Sequence, residues 1–251
     1  KREGYGPDGW PLRGEELLAF ARERFPEPWL ISFSCGKDSL AAWLWLRERG
    51  IQLVPYYLYW VPGLSFVEEA LAYYEEFFGT HIIRLPHPYF YRYLDDCMYQ
   101  LPHQVATITA MQLADFDFID CDHVAAECAG LVDPLVVIGI RIDDGIDRRR
   151  MVQQKGAIGL VRRRFFYPLW DWSLDQTADI IRRHGVRLSR EYRIMGRTIA
   201  AWDYQYLKPL QQHFPADYER LKQWFPLIDL ELFRYEGVGR GAQTQSQSQS
   251  R

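Results

Sequence analysis

The sequence predicts an α/β protein: a doubly wound, mainly parallel five-stranded sheet with helices on both faces, followed by a C-terminal helical subdomain. Short apolar segments alternate along the chain with segments whose apolar residues recur every three to four positions. Strands that are separated by helices pair in parallel, because each helical crossover returns the chain to the same edge of the sheet. The first apolar segment also ends in a polar, glycine-bearing turn that leads directly into a helix.

Strand-like composition occurs in five segments, and helical patterns separate most of them. Strands are expected at 30–33, 52–60, 81–85, 134–140 and 164–168. Helices are expected at 15–25, 38–49, from Ser65 onward, 89–98, 103–114, 122–129, 173–184 and on both sides of Pro215. Ser65 with Glu68, and Ser173 with Gln176, have the spacing of capping boxes.

These elements divide the chain into four regions. An N-terminal segment with its helix covers 1–28, an α/β domain 29–185 and a helical subdomain 186–236. Residues 237–251 form a polar, low-complexity tail for which we expect no structure, because it has nothing apolar to bury.

Composition sets limits on the class of protein. The chain has 251 residues, 48% of them hydrophobic, and a formal net charge of −3, which predicts a packed core and excludes a global basic field. Cys35, Cys97, Cys121 and Cys128 form no CxxC pair. Charged residues, Gly or Pro interrupt every apolar stretch before the roughly 20 residues that a membrane helix requires. We therefore expect a cytoplasmic protein in a reducing setting, without membrane association.

Residues 34–39, SCGKDS, join the first strand to a helix and have the composition of a phosphate cradle. Amide N–H groups at a helix start point into one concavity, and the helix dipole adds partial positive charge there. Serine hydroxyls supply further donors and the lysine supplies a mobile cation. The candidate phosphate-binding residues are Ser32, Ser34, Cys35, Gly36, Lys37, Asp38 and Ser39.

This loop resembles the SGGxDS loop of the PP-loop ATP pyrophosphatase and PAPS reductase superfamily, also described as adenine nucleotide alpha-hydrolase-like. A Walker A loop does not fit, because its GxxxxGK[ST] spacing is absent. Cys35 stands where the family has its first glycine, so we expect this backbone position to accept a side chain. The resemblance covers residues 29–185 with a shorter echo at 197–207, and points to PAPS-reductase-like proteins common in phages and mobile elements.

The predicted fourth strand runs into GIRIDDGIDRRR, residues 139–150, which resembles the GxRxxES..R segment of the PAPS reductase family. Guanidinium groups bind phosphate bidentately and stay charged at all working pH values. Asp144 and Gly145 depart from the Glu-Ser of that pattern. The further candidates for the phosphate site are Gly139, Arg141, Arg148 and Arg149.

The stretch from Arg148 to Arg164 is basic and is interrupted by glycines. This composition fits a flexible lid over an anionic substrate. For Arg149, Arg150 and Arg162, a solvated charge run fits equally well.

The resemblance also implies where the base binds. In this superfamily adenine lies near the end of the second strand, where this chain has Tyr59 and Trp60, whose rings are candidates for stacking on it. The acidic turn usual at this place is absent, so no ribose contact is implied. His87 follows the third strand and fits either the mouth of the cleft or a structural role.

Sulfonucleotide reduction in this family uses a cysteine late in the chain, and here no cysteine follows Cys128. The resemblance therefore favours cleavage of ATP between its α and β phosphates, with adenylyl transfer to an acceptor and release of pyrophosphate. Lys37, Arg141 and Arg148 are the expected catalytic residues, because positive charge stabilises the leaving group. Mg²⁺ is the expected cofactor, with Asp38 as its nearest candidate carboxylate or else as a cap of the helix.

Alternatives remain open. One hypothesis is a reductase-like protein that binds PAPS or APS but lacks the late cysteine. A second is a non-catalytic nucleotide sensor, and a third is a DNA-binding protein that holds DNA phosphates through 148–164. The acceptor is unidentified, a partner protein in sulfur or nucleic-acid modification fits the resemblance, and an oligomer is compatible with it. Zinc and iron–sulfur ligand types occur, but their spacing is poor and we expect no cluster; they are Cys97, Cys121, His123 and Cys128.

Overall fold

A computed structural model describes residues 3–159 and 163–236, and within these ranges it contains one five-stranded, all-parallel sheet of order β3-β2-β1-β4-β5. The strands are β1 Trp29–Ser32, β2 Leu53–Tyr59, β3 Ile83–Pro86, β4 Val136–Ile138 and β5 Phe165–Phe166. Each lies within a residue or two of a predicted segment or inside it. The predicted fold class is confirmed.

Eleven α-helices with assigned labels and one 3-10 turn lie in the described residues, beside a further helical stretch at the end of the described chain. The helices are α1 Gly14–Arg24, α2 Lys37–Glu48, α3 Ser65–Phe78, α4 Pro88–Asp95, α5 Pro102–Met111, α6 Phe118–Cys128, α7 Ile146–Lys155, α8 Leu174–Arg183, α9 Arg190–Met195, α10 Tyr204–His213 and α11 Pro215–Trp224. The 3-10 turn is Ile142–Asp144, and residues 229–236 are also helical. No helix in the described ranges reaches the length and apolarity that crossing a bilayer requires.

Both faces of the sheet are covered, because side chains alternate along each strand. Trp29 and Ile31 of β1 belong to a large core with α1, α2, α3 and α8. Leu30, between them, packs in a smaller cluster with Ala125 and Ala126 of α6 on the opposite face. The crossover from β3 to β4 through α6 therefore changes faces, which makes the sheet doubly wound.

The point where the winding reverses lies between β1 and β4. These strands are in register with Ser32 opposite Ile138, so both end at the same level. The chain leaves β1 toward β2 and leaves β4 toward β5, and the two loops separate over a crevice at this edge. The phosphate cradle predicted at 34–39 and the segment that starts at Gly139 therefore lie side by side.

Contact between these loops is a backbone contact. A Cβ atom built on Gly139 would lie 2.5 Å from the amide nitrogen of Ser39 and 2.6 Å from the carbonyl carbon of Asp38. Real Cβ atoms do not approach backbone this closely, so only glycine allows α2 to begin against the end of β4.

The C-terminal helices pack on the same core as the sheet. Trp202, Tyr206, Leu210 and Phe225 are buried in one cluster with Trp29 of β1. The division at 185/186 remains a prediction, and the tail at 237–251 lies outside the described residues.

Two local expectations were wrong, and one helix was missed. Residues 146–155 form α7 rather than part of a flexible lid, while Arg162 lies outside the described residues. The helix α9 was not predicted, because its six residues are too few to show an apolar period. Ser65 is the first residue of α3 rather than its cap, since its hydroxyl donates to Asp217 at 2.6 Å. The capping box of Ser173 and Gln176 is confirmed.

Replacing Gly139 by alanine should displace the start of α2 and destabilise the protein by about 1–3 kcal/mol, as overpacking does. Urea unfolding measures the free energy of unfolding. Gly185→Ala is the matched control, because Gly185 has a φ of +61° but open space around it, so its cost is backbone strain of about 1–2 kcal/mol without movement of the loop. Hydrogen exchange of the amides of residues 37–40 should become faster in Gly139→Ala and stay unchanged in the control. Equal exchange at these amides in the two variants would show that this contact does not hold the start of α2.

Candidate functional site

The loop between β1 and α2 is shaped by two serine hydroxyls. Ser39 Oγ donates to the carbonyl of Gly36 at 3.0 Å and accepts from the amide of Ser34 at 3.2 Å. Ser34 Oγ lies 3.1 Å from Ser39 Oγ and accepts from the amide of Gly36 at 3.4 Å. The first hydrogen bond of α2 runs from the Leu40 N–H to the carbonyl of Gly36, so the amides of residues 37–39 have no acceptor within the helix. No side chain caps the start of α2 either. These amides are the donors that a helix start offers to an anion.

Cys35 adopts a left-handed backbone conformation with φ +58°. The position holds a side chain, as the sequence requires, but a β-carbon in this region costs about 1–2 kcal/mol. The thiol lies in the core at 2% exposure, and burial raises its pKa well above the usual range. Cys35 therefore offers its backbone to the loop, and its sulfur is an inert buried thiol.

Lys37 and Arg141 meet on one carboxylate. Lys37 Nζ pairs with one oxygen of Asp38, and Arg141 Nε donates to the other at 2.7 Å. Arg141 also donates to Asp144 at 2.6 Å and to the carbonyl of Trp172 at 3.3 Å, and its side chain is only 5% exposed. We call Lys37, Asp38, Arg141 and Asp144 the ion cluster. It contains two cations and two carboxylates, so it is neutral as it stands.

The other predicted arginines of this segment lie on the first turn of α7. Arg148 is exposed. Burial raises the pKa of Tyr167, and the positive charge of Arg148 partly opposes this increase. Arg149 pairs with Asp143 at 3.8 Å on the surface. Arg141 is thus brought to the loop, whereas Arg148 and Arg149 face the end of β5 and the 3-10 turn.

A cavity of about 130 Å³ lies at the carboxyl ends of β1 and β2. Trp60 lines it, but its ring is 4% exposed, stacks on His87 at 4.4 Å and has the edge of Trp202 against it at 5.9 Å. Tyr59 packs instead on Phe90 at 6.3 Å and does not line the cavity. The lining residues are Ser32, Phe33, Ser34, Tyr57, Leu58, Trp60, His87, Phe118, Thr198 and Ile199.

His87 is a neutral hydrogen-bond donor at this cavity. Burial lowers the pKa of His87 to about 4, so the ring is uncharged at neutral pH. Its Nδ1 accepts the amide N–H of Tyr89 at 3.1 Å, which leaves the proton on Nε2. The sequence left the role of His87 open, because the partner that fixes its tautomer depends on the turn into α4.

The chain after α9 covers the phosphate loop. A Cβ on Gly36 would lie 3.5 Å from Thr198 Cγ2, and Ile199 lines the cavity. On α9, burial raises the pKa of Tyr192, and the charges of Asp38 and Arg141 act on the same hydroxyl. The echo at 197–207 was the signal in the sequence for this cover, but it did not show the position of Thr198. At 130 Å³ the cavity is well below the roughly 300–1,000 Å³ of small-molecule sites. A ligand of the size of a nucleotide would therefore enter only if this segment moved.

A buried carboxyl group holds the cover in place. Glu191 of α9 is 3% exposed, and it accepts hydrogen bonds from the Tyr206 hydroxyl and from the backbone N–H of Ile199. Burial raises the pKa of Glu191 to about 7, against the opposing effect of these two hydrogen bonds. The group that positions the cover thus titrates near neutral pH.

In residues 3–159 and 163–236, no three His, Cys, Asp or Glu side chains converge as metal ligands. The four cysteines are free thiols, and Cys121 Sγ lies 3.8 Å from the carbonyl of Pro86. Both oxygens of Asp38 are bound by Lys37 and Arg141, so this carboxylate does not fit a preformed Mg²⁺ site.

The sequence matches no protein-family model and no curated protein. Among solved structures, the U34-tRNA thiolase NcsA from Methanococcus maripaludis, with its [4Fe-4S] cluster, is similar with a TM-score of 0.44 and 15% identity. The similarity covers 83% of this chain and 76% of that one. At this level it identifies neither a family nor an activity for the chain.

Replacing Glu191 by glutamine should remove part of the pH dependence of stability. The folded-state pKa of about 7 is above the ordinary 4.5, so the wild type loses stability as pH rises from about 4.5 through 7, by up to about 3 kcal/mol. Glutamine keeps the acceptor and cannot ionise. We expect the difference in unfolding free energy, variant minus wild type, to rise between pH 5 and 8 in urea titrations. Exposed Glu23→Gln is the control, and parallel profiles for wild type and Glu191→Gln would contradict the assignment.

Replacing Arg141 by methionine should cost about 3 kcal/mol of stability, because it leaves carboxylates without their buried partner. The double variant Arg141→Met/Asp144→Asn should lose less than the single one. Arg149→Met is the control, since its exposed 3.8 Å pair contributes about 0–1 kcal/mol. Equal losses for Arg141→Met and Arg149→Met would show that the ion cluster does not stabilise the crevice.

Proposed function

We propose that the chain is a PP-loop enzyme that binds an adenine nucleotide and cleaves ATP between its α and β phosphates. The observation that carries this is the contact at Gly139, which sets an uncapped helix start and two serine hydroxyls against the end of β4. Such a group of donors at a topological switch point suits the phosphates of a nucleotide. Its sequence resembles the PP-loop of adenine nucleotide alpha-hydrolase-like proteins.

In the proposed reaction a nucleophilic oxygen of the acceptor attacks the α phosphorus. The bond from that phosphorus to the bridging oxygen of the β phosphate breaks, and pyrophosphate leaves with the electron pair. The acceptor oxygen gives its proton to solvent. The amides of residues 37–39 and the hydroxyls of Ser34 and Ser39 bind the leaving pyrophosphate, while Lys37 and Arg141 stabilise its charge.

The ion cluster adds a condition to this proposal. Asp38 and Asp144 neutralise Lys37 and Arg141. When phosphates bind, their oxygens must therefore replace these carboxylates as the partners of the two cations. Mg²⁺ would then be carried by the nucleotide's own oxygens, where it neutralises their charge. The adenine ring would lie in the cavity beside His87, whose Nε2–H is a donor for an acceptor atom of the base.

A nucleotide sensor is the second candidate. The neutral ion cluster and the cover by Thr198 and Ile199 favour it, because both oppose rapid entry and release of a nucleotide. A reductase is less well supported, because the Cys35 thiol is buried beneath the loop with a raised pKa. A sensor would bind nucleotide tightly without splitting it. Cytoplasmic location and a partner protein remain predictions from the sequence.

Lys37→Met should weaken ATP binding about ten- to a hundredfold, the effect of losing one charge-assisted hydrogen bond of about 1.5–3 kcal/mol. Isothermal titration measures the affinity, and mass spectrometry after incubation with ATP, APS or PAPS identifies which is bound and which is split. Lys222→Met on α11 is the control. Pyrophosphate from ATP supports the enzyme and intact bound nucleotide supports the sensor. If none of the three nucleotides binds, both proposals fail.

A further inference from the structure

Arginines are concentrated in the segment that runs from the end of α8 to the cover of the candidate site. The chain has 30 Lys and Arg against 33 Asp and Glu, yet residues 182–197 contain six arginines, no lysine and a single acidic residue, Glu191. That carboxyl group is buried, so it contributes no exposed negative charge to this segment. The six are Arg182, Arg183, Arg187, Arg190, Arg193 and Arg197.

Three of these arginines have no carboxylate partner among the described residues, and we call Arg187, Arg190 and Arg193 the basic face. All three are exposed. The others are paired: Arg182 with Asp179 at 2.8 Å, Arg183 with Glu48 at 3.3 Å and Arg197 with Asp203 at 2.5 Å.

Aromatic rings hold two members of the basic face. The guanidinium carbon of Arg187 lies 4.1 Å from the centre of the Tyr73 ring, and that of Arg190 lies 5.0 Å from the centre of Phe214. A guanidinium that rests on a ring face keeps its N–H edge available, and it loses less freedom when an anion binds that edge. The N–H fork of arginine matches the two oxygens of a phosphate better than a lysine ammonium does.

The basic face lies on the segment that leads into the cover of the loop at 34–39. Arg190 and Arg193 belong to α9, which ends at Met195, and three residues further on Thr198 Cγ2 lies 3.5 Å from the position of a Cβ on Gly36. Arg190 and Arg193 are three residues apart on α9, so they share one side of that helix. The phosphates of one bound nucleotide end at the loop, whereas these arginines continue the positive charge outward over α9.

We propose that the basic face binds the phosphodiester backbone of a nucleic acid and presents it to the candidate site as the acceptor. The acceptor role rests on the proposed function, whereas the binding itself does not. An acidic protein is the less favoured partner, because a segment with arginine alone and guanidinium groups stacked on rings suits bidentate phosphate contacts. A phosphodiester backbone that runs along the basic face from Arg187 past Arg193 would continue toward Thr198 and the loop that this residue covers.

The test compares two triple variants with the same change in net charge. Arg187→Gln/Arg190→Gln/Arg193→Gln removes the basic face. Arg22→Gln/Arg24→Gln/Arg47→Gln is the control, since these exposed arginines lie at the ends of α1 and α2, away from the phosphate loop. Fluorescence anisotropy measures binding of a labelled RNA hairpin and of a duplex DNA of equal length, over about 50–200 mM salt.

We expect the wild type to bind at least one of these probes with a salt dependence that the control variant keeps. Loss of three phosphate contacts should lower the slope of log affinity against log salt by about 2–3 and the affinity at least tenfold. The variant with lysine at the same three positions should keep most of the slope of log affinity against log salt, because the positive charge is retained. It should lose affinity, because lysine lacks the two-pronged N–H edge of the guanidinium group. Preference between the two probes shows whether RNA or DNA is bound.

Three results would overturn the inference: no binding to either probe, equal loss in both triple variants, or equal binding of poly-glutamate. Thermal unfolding with and without ATP on the same samples separates this test from the proposed function. A basic-face variant that folds and keeps the ATP shift while losing the nucleic acid supports the inference. Absence of an ATP shift in the wild type would end the proposed function, and the binding result would stand on its own.

Discussion

The arrangement of the site depends on one close contact, that of Gly139 with the backbone of Asp38 and Ser39. It exists because β1 and β4 are neighbours that end in register while their chains leave in opposite directions. The start of α2 is thereby held against the end of β4, and Arg141, two residues beyond Gly139, reaches Asp38. Sheet topology, loop position and ion cluster are thus consequences of the same packing.

This packing brings together groups whose charges cancel. In the ion cluster, Lys37 and Arg141 face Asp38 and Asp144, and the loop amides are covered by the segment that carries Thr198. Arg141 is buried while Lys37 and Asp38 are half-buried, and this is tolerated because each has a partner of opposite sign. A polyanion that enters must displace these partners and the cover, so binding and opening of the site are coupled. Glu191 links this coupling to pH, because it holds the cover through the backbone of Ile199 and its pKa is raised to about 7.

The sequence predicted what depends on neighbouring residues. The five strands, the strand–loop–helix start of the cradle and the capping box at Ser173 follow from apolar periodicity and local hydrogen bonding, and each was found. What depends on distant residues was not predictable. Asp38 and Arg141 are 103 positions apart, and nothing local shows that they neutralise each other. The left-handed conformation of Cys35 and the cover formed after the six-residue helix α9 likewise depend on tertiary packing.

The central claim is that nucleotide phosphates bind the amides at the start of α2. Hydrogen–deuterium exchange followed by mass spectrometry, with and without ATP, tests it most directly. We predict slower exchange in peptides that cover residues 33–40 and 138–146, together with a change in 196–203 as the cover moves. Unchanged exchange at 33–40 in the presence of bound ATP, with protection confined to another part of the chain, would contradict it.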